Sequence, residues 1–230
     1  TLTLFDLSNY LTEKNNITSI LRGLELLAGN DDETVRQNAT DNLCKLISLS
    51  DDKTIQNEVF PLMQRLIQND IKSKISCCYL FPLVYQKLNC ENTKMELFQV
   101  FNEISREESP SVRRAAAANI GELAAVGDSV LLNNIINLYT NLMKDSVDIV
   151  KVHTIQSTKF LLEQSDESQK KNIISNFISS INKDKSWRVK YAAAEAIADI
   201  ANSFDVSFNE LNFLPSIMLF LKDNEPEDQN

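Results

Sequence analysis

Very little in this sequence could make or break a covalent bond. His153 is its one histidine, which leaves no second imidazole for a metal site or a base-and-nucleophile pair. Cys44, Cys77, Cys78 and Cys90 fall in or beside helical stretches without metal-ligand spacing, and adjacent cysteines rarely bridge. They read as reduced, mostly buried thiols of an intracellular protein. No catalytic group, metal or cofactor is expected. What recurs instead is charge. An acidic or amide side chain stands six residues before a basic one at Asn30 and Arg36, Gln68 and Lys74, Glu107 and Arg113, Asp145 and Lys151, and Asp184 and Lys190. Such groups do contact chemistry: they can form a ladder along a stack, acid of one repeat to base of the next. An exposed ion pair of this kind contributes at most about 1 kcal/mol, so its role is to orient neighbours. The one tryptophan, Trp187, follows Asp184-Lys185-Ser186 and is flanked by Lys185 and Arg188. An exposed Trp among cations is what the energetic centre of an interface looks like. The competing reading folds the ring over its turn to cover the adjacent hairpin.

These groups keep a strict register. Val35-Arg36, Ser73-Lys74, Val112-Arg113, Val150-Lys151 and Val189-Lys190 are equivalent pairs spaced by 38, 39, 38 and 39 residues. Periods of this size mark units that bury their apolar faces only against their neighbours. From each register residue, offsets 3, 4, 7, 8, 11 and 12 trace one helical face. The last copy reads Val189, Ala192, Ala193, Ala196, Ile197, Ile200 and Ala201, all apolar. The first runs from Val35 through Asn38 to Ile47, the second from Ser73 to Tyr85, and the third from Val112 to Ala124. The fourth is the outlier, placing His153, Thr154, Ser157 and Thr158 where the others bury aliphatic groups. The expected arrangement there is a mostly buried, metal-free His153 beside hydroxyls bonded to their own helix, since unpaired buried polar groups are costly.

Upstream of each register pair runs a second amphipathic segment, at about 16–28, 53–68, 92–106, 128–144 and 168–183, with another at 208–222. Pro61 and Pro215 fall near the middle of two of them and Pro82 within a downstream helix, so each should bend its helix. With 4 Gly and 5 Pro, hairpins of β type are scarce. The expected fold is all-α, a superhelix of helix–turn–helix units joined by turns of about four residues. The units are too long for a 34-residue tetratricopeptide repeat and lack the third helix of an armadillo repeat, and they fit HEAT repeats. The expected complete repeats are 16–50, 53–89, 92–126, 128–164 and 168–204 in a single array. Residues 1–13 read as the end of a preceding repeat and 208–230 as half of a further one, so the chain reads as a piece of a longer protein. No apolar run of 18 residues and no leader pattern point to membrane insertion or secretion.

Particular motifs then point further. Glu108-Ser-Pro-Ser-Val-Arg-Arg-Ala-Ala-Ala117 with Asn119-Ile-Gly-Glu122, and Asp184-Lys-Ser-Trp-Arg-Val-Lys-Tyr191, closely resemble the family of scaffold proteins of protein phosphatase 2A. Val59-Phe-Pro-Leu-Met-Gln-Arg-Leu66, Asp145-Ser-Val147 and Leu221-Lys-Asp223 match more weakly, and the turn Asn69-Asp-Ile-Lys72 lacks the tryptophan usual at that place in the family. The resemblance implies a non-catalytic scaffold of a serine/threonine phosphatase. It further implies a ridge of turns that holds regulatory subunits of B type, here Glu108, Pro110, Arg113, Arg114, Asp148, Lys185, Ser186, Trp187 and Arg188. The catalytic subunit would bind C-terminal repeats that lie outside this sequence. A cytoplasmic location, with the nucleus as a second compartment, is implied in the same way.

Rival functions fit the composition less well. Among HEAT-like enzymes, a DNA glycosylase should present a basic face, whereas 23 basic against 32 acidic residues give a net charge of −9, and nucleic acid is not an expected partner. A metal hydroxylase of that type needs repeated His-Glu pairs. Another HEAT-repeat carrier, such as a nuclear transport receptor or coat adaptor, remains the alternative. Such carriers bind on the helix face and not on the turns.

Overall fold

The computed structural model describes residues 14–222, and every regular element among them is helical. α1 (Lys14–Ala28) and α2 (Glu33–Leu49) pack together as a hairpin. The next hairpin has a broken first arm: α3 (Asp52–Thr54) passes through a π-helical turn (Ile55–Val59) into α4 (Phe60–Gln68). Its second arm is α5 (Ile71–Cys78) followed by α6 (Phe81–Lys87). α7 (Glu91–Ile104) leads into α8 (Pro110–Val126), and α9 (Ser129–Leu142) into α10 (Asp148–Gln156) and α11 (Thr158–Gln164). α12 (Glu167–Ile181) leads into α13 (Trp187–Ile200), and α14 (Val206–Asn212) with α15 (Leu214–Leu221) comes last. Contacts divide the chain into two compact units, 1–119 and 120–230, with the division inside α8. Residues 1–13, expected as the end of a preceding repeat, and 223–230 of the expected last half-repeat lie outside the described residues.

Aspartates start many of these helices. The carboxylates of Asp32, Asp51, Asp70, Asp128, Asp166 and Asp205 each accept a backbone N–H from the first turn that follows. Each satisfies a donor that the helix itself leaves unpaired. Asp166 and Gln169 complete a reciprocal capping box. The prolines break their helices as the sequence leads one to expect, because each lacks an N–H and crowds the carbonyl four residues back. Pro61 follows the π-helical turn, Pro82 follows a turn at Tyr79 and Leu80, and Pro215 follows a break at Phe213.

In unit 1 the core runs through Leu43, Ile47, Val59, Leu62, Leu66 and Phe81. The Phe81 and Phe101 rings meet edge to face with centroids 4.9 Å apart. Val35 and Asn38 are exposed, against the expectation for that face, and α2 buries Ala39, Thr40, Leu43, Leu46 and Ile47 instead. In unit 2, Ile135, Tyr139, Phe177, Ala193 and Ile197 are fully or almost fully buried.

The polar fourth copy is where the fold departs most from simple periodicity. The helix breaks at Ser157 without any proline. The Thr154 hydroxyl donates to the Val150 carbonyl at 2.8 Å and the Ser157 hydroxyl to the His153 carbonyl at 3.3 Å. Back-bonding of this kind bends a helix. The Thr158 hydroxyl shares a 2.8 Å hydrogen bond with the buried Tyr139 hydroxyl on α9. Burial raises the Tyr139 phenol well above its ordinary range, and the bond to Thr158 offsets part of this. His153 is half-buried, less enclosed than expected. Tyr139→Phe should leave the Thr158 hydroxyl buried and unpaired, at a cost of about 1–2 kcal/mol in urea unfolding, and Thr158→Val added to it should restore much of that loss.

The thiols also divide. Cys77 and Cys78 are buried and Cys44 is partly so, but Cys90 is exposed because it precedes α7 in a link between hairpins. Burial pushes Cys78 up to about 12. At the last hairpin, Leu211, Leu214, Met218, Leu219 and Leu221 are exposed. A face this apolar should make the chain self-associate in sedimentation at high concentration, and Leu214→Glu with Leu221→Glu should return it to a monomer.

Candidate protein-binding ridge

The charged register builds real bridges, although they run the other way from the expected ladder. In unit 1 Lys74 pairs with Glu107, and in unit 2 Lys151 pairs with Asp184 at 2.5 Å. The base of one repeat thus reaches the acid of the next. The reason is geometric: each basic residue sits one turn into its helix and points toward the incoming turn of the following hairpin. Arg36 and Arg113 do something different, since their guanidinium groups donate back to carbonyls in their own turns. Arg36 reaches Asn30 and Asp31 at 2.8 and 3.0 Å, and Arg113 reaches Glu107 and Glu108, both at 2.8 Å. They staple the turn that precedes each helix.

The turn before α13 is the most organised. Asp184 accepts the Ser186 N–H at 2.9 Å while its other oxygen holds Lys151, and both side chains of that bridge are only 12% exposed. Lys151 also reaches Asp148 at 3.1 Å. The Ser186 hydroxyl donates to Asp148 and, with Lys151, holds that carboxyl below the usual carboxylate range. Burial works against the ammonium of Lys151, but its hydrogen bonds to Asp184 and Asp148 outweigh this and raise its pKa. Both acids at the turn are therefore satisfied from within. Lys183, Lys185 and Arg188 stand exposed around it.

Trp187 is 61% exposed, so its ring does not cover the neighbouring hairpin. The Arg188 guanidinium lies 5.2 Å from the ring centroid, a distance at which a cation is attracted to the aromatic face. Asp148, Lys185, Ser186, Trp187 and Arg188 line one shallow depression together with Lys151, Lys183 and Asp184. Glu108, Pro110 and Arg114 are exposed where α8 begins, beside the half-buried Arg113, and belong to unit 1. Two residues of the exposed surface go beyond those the sequence singled out. Lys183 joins the cations of the turn, and Tyr191, 60% exposed, stands one helical turn beyond Trp187. The four-residue spacing of these two aromatics carried that signal. Among the described residues no group of three or more His, Cys, Asp or Glu side chains could hold a metal ion, and no helix is long and apolar enough to cross a membrane.

The stacked hairpins, with their charged bridges from turn to turn, define a helical-repeat protein of the HEAT type. The HEAT repeat family profile matches residues 173–204. A crystal structure of an engineered protein shares the fold at a TM-score of 0.52 and 16% identity, covering 89% of this chain and 92% of that one. By sequence the chain is homologous to the scaffold proteins of protein phosphatase 2A. It is 26% identical over 207 residues to the A-type regulatory protein of protein phosphatase PP2A from Saccharomyces cerevisiae, covering 85% of this chain and 32% of that one. It is 30% identical over 162 residues to "Probable serine/threonine-protein phosphatase PP2A regulatory subunit" of Caenorhabditis elegans, covering 70% and 27%. The "Protein phosphatase 2A scaffold subunit" of Dictyostelium discoideum is 33% identical over 106 residues, covering 46% and 18%. The chain spans less than a third of the length of these relatives.

Proposed function

We propose that this chain is part of a non-catalytic scaffold of a protein phosphatase 2A-type serine/threonine phosphatase, acting in the cytoplasm and nucleus. Its turns hold a regulatory subunit of B type, and the catalytic subunit binds elsewhere in the longer protein. The names of the relatives support the phosphatase assignment, since each is a regulatory or scaffold component. The observation that carries the site is the turn before α13. Its acids are bound internally, its tryptophan is exposed, and its remaining cations face outward. Desolvated Trp and Arg side chains dominate binding energy at protein interfaces. A rigid turn that presents them loses little order on binding.

The test is direct binding with purified components. The chain should form a complex with a recombinant B-type regulatory subunit in size-exclusion chromatography and calorimetry, and should not retain the isolated catalytic subunit. Capture of the isolated catalytic subunit would overturn the division of labour. Absence of any complex with regulatory subunits would overturn the assignment of the ridge.

A further inference from the structure

The exposed surface of unit 2 does not stop at the turn. Trp187, Tyr191 and Glu195 follow one another at one-turn spacing along α13, and all three are exposed. The Tyr191 hydroxyl donates to the Glu195 carboxylate, which ties the aromatic part of this stripe to its acidic part. One turn further stands Asp199, also exposed. Glu195 and Asp199 border a furrow of about 470 Å³ between α13 and the bent helix pair α10 and α11. Its floor on the α13 side is Ala192 and Ala196, and its facing wall carries Gln156 and Lys159. The furrow lies beside the break at Ser157, the one helix break in this part of the fold that no proline explains. Small side chains on one wall and a bent helix on the other leave room for a chain to lie between them.

Charge then sorts the two ends of the stripe. Lys183, Lys185 and Arg188 surround its upper end, where the acids are already paired. Glu195 and Asp199 hold its lower end, where the ammonium of Lys159 is outnumbered. We propose that the partner segment docked at the Trp187 turn continues down α13 into this furrow, laying an apolar side chain on Tyr191 and a lysine or arginine against Glu195 and Asp199. This rests on the ridge reading above and adds the chemical order of the bound segment: an acidic or aromatic stretch first, then an apolar residue, then a cation. The occupant is a segment of the regulatory subunit.

The experiment measures the affinity of a recombinant B-type regulatory subunit for the whole chain and for four variants. Glu195→Lys with Asp199→Lys should weaken binding about ten-fold at low salt, as expected when opposed charges become like charges, and the loss should shrink at high salt. Glu195→Gln with Asp199→Asn should give a smaller loss, and Lys159→Glu should bind at least as tightly as the unaltered chain. Helicity should not change in any of them, since these side chains are exposed. If Trp187→Ala loses affinity while the double charge reversal matches the unaltered chain, the furrow inference falls and the ridge stands. If the reversal weakens binding while Trp187→Ala does not, the continuous path from turn to furrow is wrong. If the regulatory subunit binds none of these proteins, the ridge reading and this extension fall together.

Discussion

Replacing Trp187 by alanine should weaken regulatory-subunit binding by at least about 1–2 kcal/mol while leaving helicity and melting temperature nearly unchanged. The two halves of this expectation have separate causes. Trp187 is 61% exposed at the first position of α13, so its removal leaves no cavity. Surface substitutions away from caps and networks usually shift stability by less than about 0.5 kcal/mol. The turn beneath it is held by Asp184, Lys151, Asp148 and Ser186, none of which depends on the ring. Arg114→Ala should weaken the same binding by a comparable amount. Arg113 beside it is engaged with the carbonyls of Glu107 and Glu108, whereas Arg114 is exposed. Isothermal titration paired with thermal melts separates the effects. Unchanged affinity in both variants, or a loss of melting temperature in step with affinity, would sink the ridge assignment.

The largest effect on stability is expected at Phe81. Its side chain is fully buried and meets the equally buried Phe101 edge to face at 4.9 Å. Phe81→Ala should cost about 3–5 kcal/mol, the usual range for opening a cavity of that size in a packed core. Phe81→Leu keeps most of the volume and should cost less than half as much. Because repeat hairpins are held mainly by their neighbours, the damage should concentrate in unit 1. Hydrogen exchange would show this as lost protection around α6 and α7, with α12 and α13 keeping theirs. Uniform loss along the whole chain would instead mean that the stack melts as a single cooperative block.

Helix placement was legible in the sequence because it rests on period and punctuation. The apolar offsets from Val189 mark a face that is buried at Val189, Ala192, Ala193, Ile197 and Ile200. Pro61, Pro82 and Pro215 mark the breaks beside them. The features that escaped depend on hydrogen bonds between particular atoms. The hydroxyls of Thr154 and Ser157 bond to their own helix as expected, but nothing in hydropathy reveals that the helix will break at Ser157, or that His153 will end half-buried. The direction of the charged bridges depends on where each lysine points across the next turn, and residue spacing alone fits either direction. At the candidate site, the residue types and their place at a turn were readable. The pairing of Asp148 with Ser186, which leaves only cations facing outward, needed coordinates. Cys90 escaped because its neighbours read as helix, whereas it stands just before α7 with its side chain turned out of the core.

Because the Lys151 bridge crosses from one hairpin to the next, heredity at two distant positions becomes shared. Lys151 lies in α10 with its side chain almost enclosed, yet it holds the carboxylate that orders the turn in front of Trp187. A lineage that lost this lysine would carry a binding defect whose origin lies beneath the exposed surface. The natural remedy would be a compensating change at Asp184 in place of any repair of the tryptophan. In a genetic screen the two sites would behave as one locus, and a scan for coupled substitutions would join them before it joined either to the surface they serve.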